Sequence, residues 1–338
     1  MTETRAVHPL LRAAAERRLG VFTAADVRRA AYDHSEVRQL CASGRWVRLR
    51  RGVYIAADDV PATDDAQARD EVACMAVLLH LGRPHTAVSH TTAARLRGWP
   101  LPRDTDRTVR LTDPDRWRRG QGFVMSRAPL PPGDVVRRGP LRVTSTARTL
   151  VDCAREWPLE DAVVAMDAAL LAEHTTPEQL RHATTAAAHW AGARRAVRAV
   201  ELADGRAESP LETRGRLRIV GAGLPTPELQ VEIRVGGRLV AVVDGWFDDA
   251  AVAVEFDGRV KYTDPWRDRS AGQVLWEEKR REDALRALDI RVVRIVDPDV
   301  GPGWAATEQR LRHLTSTPGP AERRFTVHPR IRGLCRSG

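Results

Sequence analysis

The sequence predicts a mixed α+β and α/β protein of three folded segments and a tail, and three patterns carry that expectation. Residues 1–60 hold short capped helical stretches followed by a small hairpin signal. Residues 61–203 alternate helical stretches with short β-like runs set off by Pro and Gly. Residues 208–315 read as helix, three strands, helix, strand. A chain of 338 residues suits two or three domains at roughly 100–200 residues each.

In the first segment, residues 8–18 carry helical apolar spacing and stop at Gly20. Thr23 suits the N-cap of a helix over 24–31, with Asp26 placed to complete a capping box. Ser35 can cap a third helix over 36–42, closed by Ser43 and Gly44. Short β-like runs at 46–49 and 53–55 follow, joined through Arg50, Arg51 and Gly52. Three helices and an arginine-rich hairpin are the layout of a winged helix-turn-helix. Such a third helix would present His34, Ser35, Arg38 and Gln39 to the major groove, with Arg48, Arg50 and Arg51 against phosphate. The words GVFTAADVRRA and LCASGRWVRLRRGVYIA, spanning most of 15–56, resemble the N-terminal domain of AbiEi-type antitoxins. That resemblance implies DNA binding, often as an autoregulatory repressor, and a cognate toxin as a partner to test for.

The middle segment is a mixed α/β domain with helices at 64–81 and from Ser89 to Gly98. Short β-like runs lie at 108–111, 123–127, 135–137 and 141–143. Ser145 caps a helix over 146–156, and further helices fall at about 159–172, 177–189 and 191–203. The stretch LRVTSTARTLVDCAR resembles the second part of AbiEi-like antitoxins. No catalytic constellation is visible here. His80, His85 and His90 lie five apart, which fits neither helical nor strand ligand spacing, so they read as structural or surface residues. The polar stretch 203–208 marks a boundary, and the Pro/Gly-rich basic residues 316–338 read as a mobile tail.

Charge and cysteine usage narrow the function. Fifty-four basic residues against 45 acidic give +9, which favours a polyanion, DNA first. The N-terminus has no apolar signal core, and the longest apolar run, 72–81, is interrupted by His80. Four scattered cysteines give neither a zinc knuckle nor a disulfide scaffold. A cytoplasmic protein with no membrane partner is the expectation.

The third segment is the most informative. Ser209 and Pro210 open a helix with Glu212 in its first turn. Strands follow at 228–235, 238–247 and 251–257, then a helix over 271–288, a strand over 290–296 and a helix from about 304 to 314. If the second and third strands pair around Asp249 and Ala250, Asp244 faces Glu255, and Asp257 lies two further along on the same face. The opposite face would hold Val243, Phe247, Val252, Val254 and Phe256. Crowded carboxylates are costly unless paired, protonated or bound to a cation. Mg²⁺ suits oxygen ligands of this kind; arginines neutralising the acids, or a slipped register, are the alternatives. Only two of the 54 basic residues are lysines, Lys261 and Lys279, and Lys261 follows the acidic strand by four residues. An amine can accept a proton where a guanidinium cannot.

The words ESPLETR, VVDGWF, VAVEFDGRVKY and EKRREDALRALDIRVVRI, within 208–296, resemble the PD-(D/E)XK nuclease superfamily and its Vsr-like branch, related to very-short-patch repair endonucleases. The resemblance implies a restriction-endonuclease-like α-β-β-β-α-β core. Glu212 matches its first-helix glutamate, Asp244 and Glu255 its two motif acids, and Asp257 with Gly258 its E-x-D-G signature. Glu278, Arg281 and Arg294 match polar positions of the next helix and strand. Asp257 replaces the superfamily's usual lysine, Lys261 stands where the branch often carries histidine, and Asp289 stands where glycine is common.

The implied chemistry is hydrolysis of DNA phosphodiesters with Mg²⁺ or Mn²⁺. Asp244, Glu255, Asp257 and Glu212 would hold the metal, Lys261 would handle the proton, and Arg280, Arg281 and Arg294 would meet the DNA backbone. Cutting both strands with one site per chain would call for a homodimer. The alternative is a non-enzymatic AbiEi-like regulator carrying a degenerate nuclease-like domain.

Overall fold

The computed structural model describes residues 8–258 and 271–330. The chain forms two compact units. One runs to Pro158 and includes Glu178–Ala196; the other comprises Leu159–Pro177 and the chain from Val197 onward.

The first unit begins with α1 (Pro9–Glu16), β1 (Val21–Thr23), α2 (Ala24–Arg29), α3 (His34–Ala42), β2 (Trp46–Arg50) and β3 (Val53–Ala56). The strands form an antiparallel sheet in the order β1-β3-β2. Gly52, at φ 74°, takes the left-handed turn between β2 and β3 that a side chain would resist. The capping box on α2 is formed, with Thr23 accepting from Asp26 N and Asp26 accepting from Thr23 N. On α3 the cap is Asp33 rather than the expected Ser35. One oxygen of Asp33 accepts from the amides of Ser35 (2.7 Å) and Glu36 (2.8 Å), and the Ser35 hydroxyl donates to it as well. Leu11, Phe22, Val37, Leu40 and Trp46 fill the core of this region.

The unit continues with α4 (Ala66–Leu81), β4 (Ala87–Val88), α5 (His90–Leu96), β5 (Val109–Asp113), β6 (Arg118–Gly120), β7 (Phe123–Arg127), β8 (Val135–Arg138), β9 (Leu141–Thr144) and α6 (Thr146–Glu156). Its second sheet has the order β6-β7-β5-β4-β9-β8. The expected boundary at residue 60 does not interrupt the core. Val21, Val53 and Ile55 belong to the same apolar cluster as Val72, Val77, Leu111 and Leu141.

Helices α7 (Leu159–Leu171), α8 (Pro177–Ala186) and α9 (Ala193–Leu202) come next. The middle segment therefore does not hold together through residue 203: α7 belongs to the second unit. Asp167 of α7 accepts there from Thr213 Oγ1 (2.8 Å) and Arg216 Nη2 (2.9 Å).

The second unit contains α10 (Pro210–Gly221), β10 (Glu228–Val235), β11 (Arg238–Phe247), β12 (Val252–Phe256), α11 (Ala271–Arg286), β13 (Arg291–Ile295), α12 (Trp304–Thr315) and β14 (Thr326–Pro329). The sheet order is β13-β12-β11-β10-β14, with only the β12–β13 pair parallel among these strands. Phe247 pairs with Val252, Trp246 with Ala253 and Gly245 with Val254; Ala251 N closes the turn on Asp248 O at 3.0 Å. Asp244 and Glu255 lie one residue beyond the last of these pairs, on the adjacent strands.

Both faces of the sheet are covered. Leu211, Ile219 and Leu311 of the helices pack with Phe247, Val252, Val254 and Phe256. Leu285 and Phe325 pack with Trp246, Ala253 and Val243. Val243, expected beside Phe247, thus joins the other cluster. Gly215 lets α10 lie against the sheet, since a Cβ there would stand 2.0 Å from the Phe256 ring.

Part of the expected tail is also ordered. Thr326–Pro329 adds an edge strand to β10, Phe325 is buried, and Arg323 pairs with Asp248 at 2.8 Å. Backbone pairing and one buried ring outweigh the Pro/Gly-rich composition of this stretch.

Candidate functional site

Two regions hold the residues singled out by the sequence. On α3, Val37 and Leu40 are buried, and His34, Ser35, Arg38 and Gln39 are exposed. The hairpin leaves Arg48 and Arg51 exposed. None of Arg38, Arg48 and Arg51 has an acidic partner within ion-pairing distance among the described residues. Arg45, exposed just before β2, adds a basic group that the sequence reading missed. Arg50 departs from its expected role. Its guanidinium donates to Gln121 O at 2.8 Å and lies 5.6 Å from the centre of the Phe123 ring, so it ties the hairpin to the second sheet of this unit.

The second region is an acidic cluster beside the N-terminus of α10. Ser209 caps that helix by accepting from Glu212 N at 3.2 Å, and Glu212 Oε2 accepts from Glu208 N at 2.7 Å. Glu212 is buried. Burial first, and then the nearby Asp244 charge, push its carboxyl up to about 7. Asp244 Oδ2 accepts from Phe256 N at 2.8 Å, which ties it to the neighbouring strand.

The group joining the two acids is Gln230, which the sequence reading missed. Its Nε2 donates to Glu212 Oε2 (3.2 Å) and Asp244 Oδ1 (3.3 Å), while its Oε1 accepts from Arg330 at 2.9 Å and so fixes the amide orientation. Gln230 is buried and left-handed, with φ 53°, a conformation uncommon for a residue within a strand. A glutamine on a strand paired with an acidic one was the available signal.

Glu255 is buried next along the sheet, but its carboxylate meets Arg281 at 3.1 Å and Arg294 at 3.6 Å. Arg294 also reaches Glu282 at 3.5 Å. The alternative in which arginines neutralise the acids is therefore realised at Glu255. Arg281 and Arg294, expected against DNA backbone, are committed to that carboxylate. Asp257 is half-buried and its amide donates to Ile295 O at 2.9 Å. Arg280 is exposed. Lys261 and the Glu278 side chain lie outside the described residues.

As arranged, these side chains do not fit the expected Mg²⁺ or Mn²⁺. The Gln230 amide, a donor, stands between the two acids that converge, and Glu255 is turned to arginines. Among the described residues no three His, Cys, Asp or Glu side chains come together as metal ligands. No helix of the described residues is long and apolar enough to cross a membrane.

Residues 9–57 match the family described as transcriptional regulator, AbiEi antitoxin. This span coincides with the winged-helix elements α1 to β3. Over 281 residues the chain is 31% identical to the uncharacterized protein Rv2248 of Mycobacterium tuberculosis strain H37Rv, covering 80% of this chain and 93% of that protein. The uncharacterized protein MT2308 of Mycobacterium tuberculosis strain CDC 1551 matches with the same figures. The chain belongs to their family. Among solved structures, the RV2827C protein from Mycobacterium tuberculosis is similar with a TM-score of 0.40 and 16% identity, over 65% of this chain and 82% of that one. The family match extends through both units, whereas the regulator description applies to the N-terminal elements alone.

Proposed function

We propose that the protein is a DNA-binding transcriptional regulator of the AbiEi antitoxin type. It reads duplex DNA with the exposed face of α3 and braces on the phosphates with the β2–β3 hairpin. The observation that carries this reading is the set of exposed side chains on the AbiEi-type elements: Arg38 and Gln39 on α3, Arg48 and Arg51 on the hairpin, the three arginines with no acidic partner among the described residues. Arg and Gln can each make two hydrogen bonds to a base edge, to guanine and adenine respectively. Guanidinium groups on the hairpin would release condensed counterions from phosphate, a contribution that does not depend on sequence. The +9 charge favours the same partner. Footprinting on the DNA upstream of the protein's own coding sequence tests the proposal. A protected site that disappears with Arg38→Ala and Gln39→Ala together supports it; no protection, or protection unchanged in that variant, counts against it.

A second reading, a Mg²⁺- or Mn²⁺-dependent endonuclease in the second unit, is favoured by the α-β-β-β-α-β order and by the pairing of the two strands that carry Asp244 and Glu255. The amide between the acids and the arginines on Glu255 stand against it, so no hydrolytic step is built on this site. Supercoiled DNA incubated with Mg²⁺, Mn²⁺ or EDTA decides the matter. Metal-dependent cutting by wild type that is lost in Asp244→Ala would establish the nuclease.

A further inference from the structure

Beside Trp190 the first unit has a half-open cavity of about 260 Å³ that neither reading uses. Its wall carries two carboxylates, Asp152 and Glu156, and three guanidinium groups, Arg127, Arg148 and Arg155. Both acids are already engaged. Asp152 accepts from Arg148 Nε (2.9 Å) and Arg155 Nη1 (3.0 Å), and Glu156 takes both terminal nitrogens of Arg110 at 2.8 Å. The donors left over are cationic. Arg148 spends Nη1 on Asp134 and Pro129 O, and Arg155 spends Nε on Ala191 O, so Nη2 of each has no partner among the described residues. Arg127, exposed at the rim, has no ion pair among them either.

Trp190 forms a fixed apolar wall, with the guanidinium carbons of Arg148 and Arg155 at 4.5 and 4.9 Å from its ring centre. His90, also lining the cavity, is 3% exposed and left-handed at φ 49°, a conformation uncommon for a residue with a side chain. Thr112 donates to Ser89 Oγ (2.8 Å), which lies 2.8 Å from His90 Nδ1. The other ring nitrogen, Nε2, lies 3.5 Å from Glu156 Oε1. Ser89 is fully buried, so the Ser89–His90–Glu156 series is no nucleophile system. These contacts hold one wall of the cavity in place.

The geometry points to a site for a small organic carboxylate, its oxygens held by Arg127 and the free edges of Arg148 and Arg155, its apolar part against Trp190. Guanidinium forks match a planar carboxylate, and the engaged acids leave nothing for a cation. Benzoate, benzamide and inorganic phosphate titrated into the full chain test this. The readout is the Trp190 indole N–H resonance, assigned with Trp190→Phe. Benzoate is expected to shift it with saturation in the millimolar range, benzamide to leave it in place, and Arg127→Ala to weaken benzoate about tenfold at unchanged melting temperature. Phosphate acting as strongly as benzoate would overturn the carboxylate assignment. Equal responses to benzamide and benzoate, an undiminished response in Arg127→Ala, or no response to either anion would overturn the site.

Discussion

Arg48 and Arg51 stand exposed on the first unit's hairpin with no acidic partner among the described residues, whereas Arg281 and Arg294 of the second unit hold the buried carboxylate of Glu255. All four count equally toward the +9 charge. Their surroundings divide them. A guanidinium already matched to a buried carboxylate gains little from a phosphate, because moving it would leave that carboxylate desolvated and unpaired. An exposed guanidinium gives up nothing but water and counterions. The partner-seeking charge of this protein thus lies where arginine has not been used to stabilise the fold. Arg50 shows the same rule inside the hairpin, since its bond to Gln121 and its stacking on Phe123 withdraw it from that role.

The largest expected effect breaks the winged-helix side of the comparison at its support. Asp26 is buried and accepts from Thr23 N, the Thr23 hydroxyl, Arg18 and Arg29. Asp26→Ala should cost about 3 kcal/mol in denaturant unfolding, and a loss below about 1 kcal/mol would show that the capping box contributes little. Next comes readout: Arg38→Ala should erase about 1–3 kcal/mol of discrimination between cognate and scrambled duplexes while leaving stability unchanged, as competitive binding would reveal. On the opposite side, Arg281→Ala with Arg294→Ala should destabilise the chain by about 1–2 kcal/mol through the stranded Glu255 charge. Thermal melting checks this, and an unchanged melting temperature would mean that the two pairs hold nothing together.

The last effect is a pH dependence. Burial and Asp244 raise the Glu212 carboxyl from its ordinary 4.5 to about 7, so the folded state favours the protonated form. Its contribution to stability is fully present below the unfolded value near 4.5 and is lost as pH rises through 7. Glu212→Gln, which cannot ionise, should therefore gain on wild type between pH 5 and pH 8 by roughly 2–3 kcal/mol. Parallel stability curves for the two proteins would contradict the assignment.

What could be read from the sequence was what neighbours along the chain decide. The Thr23–Asp26 capping box depends on a spacing of three residues, and the β11–β12 register follows once a tight turn at Asp249 and Ala250 is assumed. The cap of α3 was legible only to within two residues, because Asp33 and Ser35 are both good caps and only the local geometry chooses. Contacts between distant residues stayed hidden. Gln230 matters through a left-handed backbone and through Glu212, Asp244 and Arg330, which come from three other stretches. β4 and β6 are too short to show a period. β14 lies in a basic Pro/Gly-rich stretch and exists by pairing with β10. The acids of the second unit were correctly placed on neighbouring strands, yet the sequence could not say which cation would answer them. At Glu255 the answer is arginine.

The salt dependence of duplex binding separates the two sets of arginines, measured by fluorescence anisotropy for wild type, Arg48→Ala with Arg51→Ala, and Arg281→Ala with Arg294→Ala. Losing the hairpin pair is expected to weaken binding about tenfold or more and to lower the salt slope by about two, while the second variant binds like wild type. A slope that falls with the Arg281 and Arg294 variant and holds with the hairpin variant would contradict it and move the DNA-binding surface to the second unit.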